Sequence, residues 1–229
     1  MNLNSLQELI LPEGKVTQIA KNGVIVWNSE KWDVEWICST AVPPTATWER
    51  ITDVGTISFK DTYGPSARMK CTDGTSNDKG PAIRLKDYTS RFGQKCVFEA
   101  EILLESVQTD SGGIRLILGG SNSSGAAAGK GIKVTINQNS TDGKTYMHVL
   151  QSTDVISTQR KTAEISLLEW HKIRLTLDMV AGSSTVKLDG KVIATQTNAQ
   201  LSTMDTNNTW INAKNGTCYV RAIRYRKEA

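Results

Sequence analysis

No apolar run in this chain approaches the roughly 20 residues that a helix needs to cross a bilayer, so the sequence predicts no helical membrane span. No basic stretch followed by an apolar one opens it, so no secretory leader is expected, and folding is expected in the cytoplasm where the chain is made. Charge of one sign is not in excess. The 27 Lys and Arg stand against 23 Asp and Glu, and a net +4 is too small to point to nucleic acid. Cysteine is scarce and scattered: Cys38, Cys71, Cys96 and Cys218 form no C-x-x-C pair. They are expected to be small buried hydrophobes rather than disulfides or metal ligands. Histidine is limited to His148 and His171, neither in a nucleophile-elbow context, so neither zinc nor a nucleophilic triad is expected. His171 is assigned a structural role. No heptad or collagen-like repeat imposes an oligomeric state, and no long amphipathic helix is visible.

What is there is alternation. "VFEAEILLE" (97–105) places Phe98, Ala100, Ile102 and Leu104 on one side and Glu99, Glu101 and Glu105 on the other. "GIRLIL" (113–118) sends Ile114, Leu116 and Leu118 inward, and "GIKVTIN" (131–137) does the same with Ile132, Val134 and Ile136. "TYMHVL" (145–150) follows the turn Asp142-Gly143. Period two with one apolar face predicts half-buried antiparallel strands. "EWHKIRLTLDMVAGSSTVKLDGKVIAT" (169–195) reads as a three-stranded meander with a turn at Asp189-Gly190, and "CYVRAIRYR" (218–226) as a last strand. Many short strands separated by such turns predict an all-β sandwich or barrel. Trp32, Trp36, Trp48, Trp170 and Trp210 are expected in or near its core. Arg221, Arg224, Arg226 and Lys227 are expected on a solvated strand end.

Ahead of this body, "KVTQIA" and "VIVW" flank Asn22-Gly23, the strongest short hairpin signal. Leu6, Leu9 and Ile10 before them suit a helical turn or an apolar arm. A lone hairpin is at best marginally stable in water. Val16, Ile19, Val24, Val26 and Trp27 therefore need cover, from the following domain or from another chain. The expected division is an anchoring segment at 1–30 and a β-sandwich domain at 31–229.

Two resemblances sharpen these expectations. The Trp170-His171 pair, the alternating strand, the short loop and "VKLDGKVI" resemble the concanavalin A-like jelly rolls, including laminin-G-like modules, over residues 32–229. The resemblance implies a jelly roll whose final strand, "YVRAIRYR", returns to the first sheet. "LPEGKVTQIAKNGVIVW" resembles a short segment that recurs in structural proteins of bacteriophages infecting Gram-positive bacteria. It implies a virion protein, a head decoration, fibre or tail component, anchored to other virion subunits and present in several copies or as a homo-oligomer. A free carbohydrate-binding or glycan-hydrolysing protein, and a purely capsid-reinforcing one, are the alternatives.

The superfamily includes glucanases, whose catalytic strand resembles Glu-x-Asp-x-x-Glu. Glu99, Glu101 and Glu105 approach that pattern, but the middle acid is Glu and the third stands one residue too far, so the sequence predicts no enzyme. Some laminin-G-like modules hold calcium; Asp73, Asp78 and Asp110 lie in suitable loops but form no Asp-x-Asp-x-Asp pattern, so no cofactor is expected, with calcium as the alternative. Host carbohydrate needs an aromatic plate and a few polar groups. Arg115, Lys133, Tyr146, His148, Glu99 and Glu101 all point away from the core by alternation, and are expected to form one polar face.

Overall fold

The computed structural model describes residues 31–71, 80–86, 95–109, 113–119, 131–152, 157–197 and 209–228, with the backbone alone at 151, 152 and 157–160; before residue 31 it describes the backbone of four strands. Met1–Asp33 and Val34–Ala229 are two compact units.

In the first unit, β1 (Leu9–Leu11) pairs with β2 (Gly14–Val16), and β3 (Gln18–Lys21) with β4 (Val24–Asn28), as two separate two-stranded sheets. Leu9 and Ile10 thus belong to a strand and not to a helical turn, and the run "KVTQIA" is divided between two hairpins. Ile19 pairs with Trp27, and a bulge follows between Ile19 and Ala20. Val16 lies in β2, and Val24 and Val26 in β4; the side chains of all five proposed anchoring residues, and the Asn22-Gly23 turn, lie outside the described residues.

The second unit is a two-layer sandwich with no helix among its described residues. Its strands are β5 (Val34–Ile37), β6 (Trp48–Ile51), β7 (Gly55–Lys60), β8 (Ser66–Cys71), β9 (Ala82–Leu85), β10 (Lys95–Val107), β11 (Ile114–Gly119), β12 (Gly131–Gln138), β13 (Thr145–Ser152), β14 (Ser157–Glu164), β15 (Trp170–Asp178), β16 (Ser183–Leu188), β17 (Lys191–Thr197), β18 (Thr209–Ala213) and β19 (Gly216–Glu228). One sheet runs β17-β16-β15-β10-β19-β8-β7, with β5 sharing the edge of β19 that β8 leaves open. The other runs β14-β13-β12-β11-β18-β9-β6. The expected meander is β15-β16-β17, and the last strand returns to pair with β10, as a jelly roll requires.

Alternation builds the core from both layers. Phe98, Ile102 and Leu104 of β10 and Ile173, Leu175 and Leu177 of β15 face Ile114, Leu116, Val134 and Ile136 of the opposite sheet, all buried. Each such side chain contributes about 1.5–3 kcal/mol by leaving water. Trp36 and Trp48 join this core. Trp170 does not: it is half-buried on the outer face, donating its indole N–H to the Tyr63 carbonyl at 3.2 Å with the Arg221 guanidinium 4.5 Å above its ring. Trp210 also lies on an outer face, in a small apolar cluster with Ala82, Ile117 and Ile51. The four cysteines are free thiols, three of them buried. Burial pushes the Cys218 thiol up to about 12, which leaves it protonated at any physiological pH.

Candidate functional site

Of the six residues expected at a ligand face, four lie on one surface, the outer face of the seven-stranded sheet. Arg115 pairs with Thr135 on β12, Thr135 with His148 on β13, and His148 with Thr162 on β14, a single row across four strands. Tyr146 stands one pleat along, between Asn137 and Glu164; Lys133 stands one pleat the other way, between Ile117 and Leu150. The arrangement follows from register, because strands in antiparallel alignment with the same inward set must also share the outward set.

Hydrogen bonds hold the two rings. His148 Nε2 lies 2.7 Å from Asn137 Oδ1, an acceptor, which places a hydrogen on that nitrogen. The Tyr146 hydroxyl donates to Asp142 Oδ2 at 2.7 Å, and the Lys144 backbone N–H donates to Asp142 Oδ1 at 2.9 Å. The Tyr146 hydrogen bond holds the Asp142 carboxyl below its ordinary range and the tyrosine hydroxyl above its own. Lys144 reaches Glu164 at 2.8 Å. The rings of Tyr146 and His148 lie 6.3 Å apart, tilted by 42°. They form a short aromatic strip fringed by amide, carboxylate and ammonium groups.

Sequence reasoning missed β18. "TWINA" carries the same period, with Ile211 and Ala213 inward and Trp210 and Asn212 outward, and could have been found by it. Asn212 pairs with Arg115 and Trp210 with Ile117. The Asn212 amide donates to the Gly80 carbonyl at 3.1 Å. Its Oδ1 and the Trp210 indole nitrogen are buried with no hydrogen-bond partner among the described residues.

Glu99 and Glu101 are elsewhere, and the expectation of one polar face is corrected. They project from β10 on the outer side of the eight-stranded sheet, the opposite side of the sandwich. Nor is that side wet: Glu99 is 4% and Glu101 7% exposed. Arg224, expected on a solvated end, is buried among them. Its Nη1 donates to Glu99 at 3.1 Å and Glu101 at 2.8 Å, and its Nε to Glu35 at 2.6 Å. Arg221 reaches Glu101 at 2.6 Å and Arg174 reaches Glu99 at 3.4 Å. Cross-strand placement causes this, since Glu99 sits between Arg174 and Arg224 in the ladder.

Burial alone would raise the Glu101 carboxyl, but hydrogen bonds and charge from Arg224 and Arg221 outweigh it and hold the group below the usual carboxylate range. A carboxyl depressed on folding contributes stability that is present above its unfolded pKa of about 4.3 and is lost as pH falls below that value. Melting temperature followed from pH 7 to pH 3 is therefore expected to fall more steeply for the native chain than for Glu101→Gln. Parallel profiles would show that the network contributes nothing to acid sensitivity.

At one end of the sandwich, His171 is buried and held by hydrogen bonds in company the sequence did not announce. Its Nδ1 lies 2.8 Å from Asp189 Oδ2, and its Nε2 lies 2.9 Å from Ser166 Oγ and 3.2 Å from the Ser166 carbonyl. Ser166 donates its hydroxyl hydrogen to Glu169 Oε2 at 2.6 Å. Asp189 begins the expected Asp-Gly turn, with φ of 49° followed by 83° at Gly190.

Among the described residues no group of three or more His, Cys, Asp or Glu side chains gathers to hold a metal ion. Asp73, Asp78 and Asp110 lie outside the described residues.

Neither a comparison with protein-family models nor one with curated proteins gives a match. Solved structures do. The carbohydrate recognition domain of Emp47p superposes with a TM-score of 0.58 at 15% identity, over 84% of this chain and 93% of that one. The potassium-bound form of the Emp46p carbohydrate recognition domain gives 0.56 at 9% identity, over 82% and 94%. A legume lectin-like domain from Entamoeba histolytica gives 0.52 at 14% identity, over 81% and 92%. The likeness is one of fold: an antiparallel, concanavalin A-like β-sandwich.

Proposed function

We propose that this chain is a non-catalytic glycan-binding protein, displayed in several copies on a bacteriophage particle to which its leading hairpins attach. The observation that carries the binding half is the outer face of the seven-stranded sheet, where register brings Tyr146 and His148 beside Asn137, Arg115 and Lys133. An aromatic ring takes the apolar face of a sugar and the Lys133 ammonium its hydroxyls, while Arg115 and Asn137, each 7% exposed, support the face from within. The sandwich shared with carbohydrate recognition domains supports the same reading. Many weak copies on one particle give adhesion without a tight single site.

The attachment half rests on the "LPEGKVTQIAKNGVIVW" resemblance and on the two short hairpins at 9–28, each too small for independent stability. Assembly would take place in the host cytoplasm. The non-catalytic reading is supported by Glu99 and Glu101, whose oxygens are taken up by arginines.

A glycan array probed with the full chain is expected to show binding that Tyr146→Ala reduces about tenfold or more, the loss of one stacking contact. A blank array overturns adhesion. Deleting residues 1–30 is expected to leave the β-sandwich circular dichroism spectrum and the array signal intact while abolishing incorporation into particles. Unchanged incorporation removes the anchoring role, and a chain never found on particles favours the second reading, a free carbohydrate-binding protein, which the fold fits equally well. Glycan turnover that is lost in Glu99→Gln with Glu101→Gln would refute the non-catalytic assignment.

A further inference from the structure

We propose that the groove between the edges of the two sheets, bounded by β14 and β17, is the subsite that selects the ligand, and that it takes a neutral oligosaccharide. This rests on the glycan-binding reading and places its specificity at a sheet edge rather than on the centre of the face. β14 ends the seven-stranded sheet and β17 ends the eight-stranded one, and the cleft between them measures about 720 Å³. Small-molecule sites run from about 300 to 1,000 Å³.

The groove has an apolar floor and a polar rim. Leu188, Val192 and Ile193 make the floor. β17 carries a bulge there: Lys187 pairs with Val192 and Val186 with Ala194, so Ile193 is the extra residue. A bulge turns side chains out of the regular alternation, and Val192 is left 51% exposed. A methyl-lined floor of this kind suits the C–H face of a pyranose. Thr162, Glu164, Asp189 and Lys191 make the rim.

Continuity with the aromatic strip decides the ligand's path. Thr162 pairs with His148, and Glu164 with Tyr146, in register on the same outer face. A sugar stacked on Tyr146 therefore has its next unit directed over β14 into the groove.

Asp189 is the rim group already fixed in place. Its backbone N–H donates to the Lys172 carbonyl at 2.9 Å, and its Oδ1 accepts the Lys172 N–H at 2.7 Å. Its Oδ2 lies 2.8 Å from His171 Nδ1. A carboxylate offers about four lone-pair sites, so about two remain for hydroxyl donors, with no rotamer entropy to lose on binding. Glu164 is held likewise by Lys144. The rim carries two carboxylates, Asp189 and Glu164, against one ammonium, Lys191, and the Lys144 ammonium is taken up by Glu164. The rim accepts hydroxyls and gives an anionic sugar little compensation for the carboxylates it would meet.

The test uses the full chain on an array carrying neutral and anionic oligosaccharides side by side. Neutral glycans are expected to bind, and Val192→Lys and Asp189→Asn are each expected to reduce the signal about tenfold or more, the loss of one floor or rim contact. Lys60→Ala, on the far edge strand β7, is expected to stay within about twofold. Val192 is exposed, so Val192→Lys keeps the test valid if Asp189→Asn unfolds. Neutral glycans bound equally by wild type and both groove variants, or binding restricted to anionic glycans, overturn the groove and leave the glycan-binding reading standing. A wild-type chain that binds no glycan overturns that reading and the groove with it.

Discussion

Arg224→Met is expected to cost about 3 kcal/mol of folding stability, read as a shift of the denaturant midpoint at unchanged m-value. Arg224 is 6% exposed and gives its donors to three carboxylates, Glu35, Glu99 and Glu101. Removing one partner from a buried ionic cluster leaves charge in a medium that cannot solvate it, which typically costs about 3–5 kcal/mol. The lower end applies here, because Arg174 still reaches Glu99 and Arg221 still reaches Glu101. Adding Glu99→Gln and Glu101→Gln to Arg224→Met is expected to recover part of the loss, since the stranded charges are then gone. A triple variant no more stable than Arg224→Met would show that the cost lies in lost side-chain packing instead.

Gly113→Ala is expected to be about as damaging, at roughly 3–4 kcal/mol, for a reason of backbone geometry. Gly113 has φ of 82°, and a Cβ built there would stand 1.8 Å from the Ile136 carbonyl oxygen. β12 would have to move away, and Ile136 is the register partner of Ile114 at the start of β11. The next residue, Asn137, holds His148, so the aromatic strip is expected to loosen with it. Gly143→Ala is the control. It has φ of 70° but nothing within 4 Å of the added carbon, so only the left-handed backbone is penalised, at about 1 kcal/mol. Equal losses in the two variants would mean that φ alone, and not the close approach of β12, makes Gly113 necessary.

Legibility in the sequence tracks how local the cause is. The inward sets of β10, β11, β12 and β15 were readable because a two-residue period is a property of one strand. The meander at 170–197 was readable because Asp189-Gly190 determines its own turn chemistry. β18 was overlooked although Trp210, Ile211, Asn212 and Ala213 alternate, since five residues give a weak signal. β1 and β2 were obscured for the same reason, with strands of three residues each.

The site divides along the same line. Placing Arg115, Lys133, Tyr146 and His148 on one outward face needed only that β11, β12 and β13 be neighbours, as strands consecutive in sequence commonly are. Adding Glu99 and Glu101 needed to know which sheet β10 joins. Its partners come from far along the chain: Arg221 stands 120 residues beyond Glu101, and Arg224 stands 125 beyond Glu99. Seen alone, each of these side chains looked solvated.

What the residues determined unaided, then, is that this chain is all β, which side chains of most strands point inward, and where several hairpins turn. Tertiary structure alone decided that the two groups of outward polar residues back onto opposite sides of the sandwich. It also decided that Arg224 is buried, that Asp189 is held by His171, and that the edges of β14 and β17 enclose a groove. The physical reason is range: alternation and turns are imposed by neighbouring backbone, whereas strand order, and hence which charges meet, is settled only when distant segments pair.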